Sequence, residues 1–323
     1  MSGDAVSNGE ILFVKCVKDG IPNRDPLRES DARRIFGEDD GRISLSDVSI
    51  KRDVRDYMLA RYPQGGENKN LFVFVRKERT EGNKLLGRDK LAESLLKKAG
   101  HSGADEQEDL MAAAFDTRVF GAVFSVKKKS FSQCGPVQFG WAHSLHPVET
   151  RYVQGTVVMP SKDVEIREDT GEATGATQGT IWTSYTLPFA VFAMPAVISS
   201  SIARDTGMSP QDVEILLEAL WKGTLARQAR GRGLQQPLLL LHVEYKDPFF
   251  RIGFLEESLG LQPGREEWLG GRPPTSLQEI SLDVEALAQL LSRHQDQISR
   301  CRLWKDPQLK LQGELPAETV RWS

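Results

Sequence analysis

The sequence predicts an α+β fold. Extended segments rich in β-branched and aromatic residues bracket two strong helical segments. Their order is strand, helix, strand, and later strand, helix, strand again, which fits a split βαβ or ferredoxin-like core. Long insertions separate the two halves, unlike the regular alternation of a doubly wound sheet. This core hosts many unrelated activities, so it does not by itself assign a function.

Taken in order, residues 10–17 (EILFVKCV) read as a buried first strand. Residues 19–26 (DGIPNRDP) carry turn chemistry: Asp-Gly, Pro-Asn and Asp-Pro. Ser46 or Asp47 can cap a helix that runs to about Ala60, with Ile50, Val54, Tyr57 and Met58 on one apolar stripe. Residues 71–77 (LFVFVRK) predict a second strand. Residues 88–100 predict a helix ended by Gly100. The acidic stretch 101–109 reads as a mobile connection. Residues 116–126 (DTRVFGAVFSV) look strand-like, with Gly121 as a bulge or close-approach site. Residues 127–149 read as a loop and a strand, and 150–160 continue as strand. The polar Gly/Thr tract 167–180 predicts a hairpin tip or loop. Residues 180–194 are extended. Residues 209–229 predict the clearest helix, capped by Ser209 with Pro210 in its first turn. Residues 237–246 are a buried strand, and one more helix lies around 281–295. No internal repeat is evident.

The chain of 323 residues is long enough for one elaborated domain or a core plus a smaller lobe. Its 39% hydrophobic and 27% charged content fit a globular protein in water. No apolar run is long enough to span a bilayer, and no secretory signal is read, so a cytoplasmic location without membrane contact is expected. Three dispersed cysteines, Cys16, Cys134 and Cys301, agree with reduced thiols.

The net charge of −3 leans against a dedicated nucleic-acid binder. The charge is segregated, however. Residues 222–233 carry Lys222, Arg227, Arg230 and Arg232 without an acid, and residues 103–116 carry acids without a base. Such segregation can build one basic face, or it can be an ordinary solvated surface.

Catalytic signatures are weak. The chain lacks GxxxxGK[ST], HExxH, GxSxG and CxxC. Cys134, His143 and His146 lie close in sequence, but no fourth ligand is evident, so no metal is expected. Asp25 and Asp47 can do acid–base work, yet a turn and a helix first turn already explain them. The RGRG segment 230–233 can touch phosphates or simply place cations at a helix C-terminus. Phe72, Phe74, Phe139 and Trp141 alternate and are assigned to core packing before base stacking; Trp182 is undecided. In the helix SDVSIKRDVRDYM (46–58), Asp47–Lys51 and Arg52–Asp56 have ion-pair spacing. Such pairs contribute only about 0.2–0.5 kcal/mol, too little to stop an exchange of carboxylate for phosphate.

Four blocks in order carry a family resemblance: IPNRDP with SDVSIKRDVRDYM (21–58), DTRVFGAVFS (116–125), GPVQFGWAHSLHPVE (135–149), and the looser 186–223. Together they resemble the backbone subunit of the type I CRISPR effector complex, Cascade, most like the type I-B and I-C forms of the seventh Cas family. The match covers residues 10–246. It implies an RRM-like palm with finger and thumb insertions over 1–246 and a C-terminal extension, 247–323, packed on the core. It implies several copies stacked along one CRISPR RNA, with a thumb displacing a nucleotide at intervals. Target DNA pairing, other Cascade subunits as partners, no cofactor and no chemistry by this subunit are also implied. Both DNA destruction and guided insertion, as in CRISPR-associated transposons, stay open.

A guide must be held whatever its letters, so contacts belong on phosphates and 2′-hydroxyls. Under the resemblance, Lys51, Arg52 and Arg55 hold backbone. Asn23 and Arg24 add donors from the neighbouring loop. Ser125, Gln138 and His143 suit sugar and phosphate contacts, and Lys127 and Lys128 reach guide or displaced DNA. Two rivals remain: a type III-like subunit that cleaves RNA through Asp25, and a scaffold that binds only protein.

Overall fold

The structure is a computed structural model; it describes residues 5–28, 31–80, 82–102, 105–126, 129–157, 181–270 and 273–322. Through the first half the elements are β1 (Gly9–Gly20), β2 (Ser44–Leu45), α1 (Asp47–Arg61), α2 (Arg88–Ala99), α3 (Glu106–Ala113), α4 (Phe115–Phe120), β3 (Gly121–Val126) and β4 (Lys129–Cys134). Then come β5 (Val137–Phe139), β6 (Ala142–Ser144), β7 (Arg151–Thr156), β8 (Ile181–Ile198), α5 (Ser200–Thr206), α6 (Pro210–Ala226) and β9 (Leu234–Tyr245). The C-terminal part adds β10 (Gly260–Gln262), α7 (Arg265–Gly270), β11 (Ser281–Asp283), α8 (Glu285–Arg293), β12 (Ile298–Lys305), β13 (Leu311–Gln312) and β14 (Glu318–Thr319).

The fold is mixed α and β around one large sheet, ordered β14-β12-β9-β1-β8-β6-β2, with β5 and β7 also paired to β8. Strand β1 lies at its centre, antiparallel to both β8 and β9. Side chains of a strand alternate between faces. Ile11, Phe13 and Val17 therefore enter one core with Ile50, Val54 and Met58 of α1 and Leu216 and Leu220 of α6. Leu12, Val14 and Cys16 enter a second core, closed by Trp268, Leu282, Leu287 and Leu291 from the C-terminal part. Lys15 shares the helix-side face with Phe13 and Val17, so its ammonium is buried beneath α1.

Three expected elements differ. Residues 71–77 form no strand; among the described residues their one ladder contact is a bridge from Phe72 to Ala114. The Asp116 carboxylate accepts the amides of Phe74 (2.7 Å) and Val75 (3.0 Å) that a neighbouring strand would have taken. Phe72 and Phe74 pack instead with Leu91 and Leu95 of α2. Residues 116–126 are half helix, α4, and half strand, β3, with Gly121 at φ +80° making the change of direction. The acidic stretch ends in a helix, because Asp105 caps α3 by accepting the amides of Gln107 and Glu108, both at 3.1 Å. The tract 167–180 lies outside the described residues. Helix α6 carries the expected cap, a reciprocal capping box between Ser209 and Asp212.

Candidate nucleic-acid interface

Helix α1 is amphipathic in an unusual way: its buried face includes a carboxylate. Asp53 is fully buried beside Val54 and Tyr57. Three cations reach it from remote parts of the chain. Lys15 Nζ donates to Oδ2 at 3.0 Å, while Arg227 Nη1 and Arg232 Nη2 donate to Oδ1 at 2.7 and 2.8 Å. Arg227 also meets Asp56 at 3.4 Å, and Asp56 pairs with Arg52 at 2.7 Å. Four cations thus share two carboxylates.

The titration of the cluster follows from this imbalance. Burial alone raises the Asp53 carboxyl; Lys15, Arg232 and Arg227 outweigh it and hold the group below its ordinary value. Burial, aided by Arg232 and Arg227, pulls Lys15 down to about 8 against the attraction of Asp53. The interior therefore holds more positive charge than it neutralises.

A surface groove of about 390 Å³ lies over this cluster, lined by Asn23, Arg24, Val48, Arg52, Arg227, Arg230 and Arg232. Among the described residues, three buried donors here have no hydrogen-bond partner: Asn23 Nδ2, Arg232 Nε and Arg232 Nη1. Buried donors are nearly always satisfied by protein or ordered water, and these three have no partner within the chain. The RGRG turn shapes the wall. Gly231, at φ +73°, lets the Arg24 guanidinium approach, where an added Cβ would collide with it. Arg24 in turn donates to the Arg230 carbonyl at 3.3 Å.

A second cavity of about 410 Å³ shares Arg24 and Arg230 with the groove and adds Trp182, Thr183, Ser184 and Tyr185. The Arg230 guanidinium sits 5.0 Å from the Trp182 ring centroid. Guanidinium groups and an aromatic face thus adjoin each other.

The expected site residues fall in different places. Asn23, Arg24 and Arg52 come together in the groove. Lys51 and Arg55 lie elsewhere on α1. Lys51 pairs with Asp47 at 2.9 Å, Arg55 pairs with buried Asp116 at 2.8 Å, and both lie over the Phe120 ring. Their side chains are 14% and 12% exposed, so pairing and packing, not groove lining, occupy them. Gln138 donates to the Gly135 carbonyl at 2.8 Å. His143, at the far side of β8, meets Ser44 Oγ at 3.0 Å, and burial together with Arg42 keeps it below its ordinary value. Ser125 is placed on β3 opposite Ser130. Lys127 and Lys128 lie outside the described residues.

Cys134, His143 and His146 do not converge; among the described residues no group of three His, Cys, Asp or Glu side chains can hold a metal. His146 is buried and stacked on Trp268 at 3.5 Å. Asp25 closes a turn by accepting the Leu27 amide at 3.0 Å. Among the described residues no helix is long and apolar enough to cross a membrane.

Lys15 and Arg227 were not placed at the site from sequence; Arg230 and Arg232 were read in the RGRG segment as able to touch phosphates or to place cations at a helix C-terminus, within the basic stretch 222–233. The signal for Lys15 is a charge inside an apolar strand, in phase with Phe13 and Val17.

A family model described as CRISPR-associated protein Cas7 matches residues 7–285. No curated protein matches. Two solved structures have a similar fold. One is titled "CRISPR RNA-guided surveillance complex, pre-nicking", with TM-score 0.58, 14% identity, and coverage of 98% of this chain and 97% of that one. The other, "CRISPR RNA-guided surveillance complex", gives TM-score 0.52, 14% identity, and coverage of 97% and 95%.

Proposed function

The chain belongs to the CRISPR-associated Cas7 family, and from that premise we propose that it is a non-catalytic, guide-binding backbone subunit of a type I Cascade effector. Copies stack along a CRISPR RNA and present it to target DNA beside other Cascade subunits, in the cytoplasm. The observation that carries this reading is the groove over the Asp53 cluster, where Arg24, Arg52 and Arg230 line the surface above buried cations that outnumber their carboxylates. A ribose-phosphate thread supplies the negative charge that this groove lacks, and it does so whatever its bases.

The proposed contacts are Asn23, Arg24 and Arg52, joined by Arg227, Arg230 and Arg232. Lys51 and Arg55 act in this reading by holding α1 in place. The sheet order β9-β1-β8-β6, with α1 and α6 on one face, supports an RRM-like palm within residues 1–246. Residues 247–323 are the proposed extension, and β12 joins the main sheet beside β9. The turn geometry of Asp25 supports a structural rather than a cleaving role.

The test is to purify the chain from its native cells and sequence the RNA that accompanies it. Repeat-flanked spacers are expected, and Arg24→Glu with Arg52→Glu should strip them from a folded protein. Protein free of RNA, or carrying RNA without repeats, overturns the reading.

A further inference from the structure

The loop that follows β9 presents two phenylalanines to solvent. Phe249 is 93% exposed and Phe254 is 72% exposed. Phe254 also adopts φ +51°, a conformation that bulky residues rarely take. Neither packing nor backbone preference within the chain accounts for a phenylalanine there.

The loop is nonetheless tightly tied. The buried Glu10 carboxylate accepts the amides of Ile252 (2.9 Å) and Gly253 (3.0 Å) and the Tyr245 hydroxyl. Asn8 Nδ2 donates to the Phe250 carbonyl at 2.8 Å, and the Phe250 ring packs edge-on against Tyr245. Rigid presentation of apolar side chains lowers the entropy lost on association. Strain at an exposed aromatic on a fixed loop points to a partner.

A receptor of matching chemistry lies on the same chain. A cavity of about 580 Å³ has an apolar floor that includes Pro147, Pro188, Trp268 and Pro273. Five carboxylates and three guanidiniums line it, Asp39 and Glu149 among the acids. Arg251, exposed between the two phenylalanines in sequence, is complementary to that acidic rim.

The placement is directional. The phenylalanine loop leaves the sheet where Glu244 pairs with Gly9, at the start of β1. The cavity borders Pro188 and Phe189, opposite Lys18 near the end of β1. Both belong to the sheet face covered by the C-terminal part, since Phe189, Trp268, Phe250 and Ile252 share that core. Nine residue steps along β1, from Gly9 to Lys18, separate them, roughly 30 Å. A knob at one end and a hole at the other make a heterologous contact, which repeats head to tail.

We propose that Phe249, Arg251 and Phe254 of one copy seat in the Pro147–Trp268–Pro273 cavity of the next copy. This rests on the stacking part of the reading above and supplies a protein–protein contact for it.

The test places benzoyl-phenylalanine at position 249 in the full chain, assembled on a 60-nucleotide unstructured RNA and irradiated. Intermolecular cross-links into residues 147–149, 188–189, 268–269 or 273–275 are expected. Cross-links confined elsewhere, cross-links to another protein, or none from an assembled chain overturn it. A chain that stays monomeric with and without RNA overturns it too. In parallel, Phe249→Ala with Phe254→Ala should raise the concentration needed for assembly by at least about 30-fold, as for anchor residues. Arg251→Glu should weaken assembly, and adding Glu149→Arg should restore it. Each variant is checked for binding a 12-nucleotide RNA as a monomer. Loss of that binding in the unaltered chain defeats the groove reading separately, whereas unchanged assembly in both variants defeats this one.

Discussion

Asp53→Asn is the most informative single perturbation of the cluster. The substitution keeps shape and removes the charge that Lys15, Arg227 and Arg232 share. Two of those cations, Lys15 and Arg232, are almost fully buried and cannot turn to water. Breaking a buried pair by removing one partner costs about 3–5 kcal/mol, since the remaining charge is stranded. The pH dependence gives the effect a signature. Lys15 already titrates near 8 in the fold, against 10.5 ordinarily. A lysine depressed on folding destabilises the protein while protonated, and that penalty fades as pH rises from about 8 to 10.5. Without Asp53 the folded pKa of Lys15 falls further. The deficit of the variant should therefore grow as pH drops below about 8 and level off once Lys15 is protonated. Urea unfolding at pH 6 and pH 9 measures both quantities. A deficit below about 1 kcal/mol, or one equal at the two pH values, would refute a shared buried counter-charge.

Three further outcomes follow. Arg55→Glu sets an acid against Asp116, so it should destabilise the fold by about 3 kcal/mol and speed amide exchange at Phe74 and Val75; exchange unchanged there counts against the Asp116 clamp. Gly231→Ala, at φ +73° and against Arg24, should weaken RNA binding with less than about 2 kcal/mol lost in stability; wild-type binding would show that the turn does not shape the groove. Burial holds His146 at about 4, so its neutral form is the folded one, and stability should fall as pH drops from 6.5 towards 4. His146→Gln should flatten that limb by up to about 3 kcal/mol, read by urea unfolding between pH 7 and 4; an unchanged limb contradicts it.

Local physics was legible in the sequence. The stripe Ile50, Val54, Tyr57 and Met58 is buried as expected, and the pairs Asp47–Lys51 and Arg52–Asp56 form at the expected spacing. The Ser209 cap and the Gly100 terminator also follow from short-range rules. What was not legible depends on distant partners. Asp53 meets Lys15, Arg227 and Arg232, which are 38, 174 and 179 residues away. Periodicity cannot report such a meeting, so Asp53 read as one more helix charge. Residues 71–77 have strand composition, but Asp116, more than forty residues on, takes their amides. Of the basic helix, only Arg52 reaches the groove, because Lys51 and Arg55 sit beside Phe120 with carboxylates of their own.

The central claim is that the groove grips phosphates. The direct measurement is RNA affinity against salt, by fluorescence anisotropy with an unstructured 12-nucleotide RNA. Arg227 and Arg232 are neutralised by Asp53, so Arg24, Arg52 and Arg230 carry the salt dependence and should give a log–log slope of about −2, at about −0.7 per phosphate on a single strand. Arg52→Glu with Arg230→Glu should weaken binding equally for every base sequence and flatten the slope by about 1.4. An unaltered slope and affinity in that double variant would contradict the account.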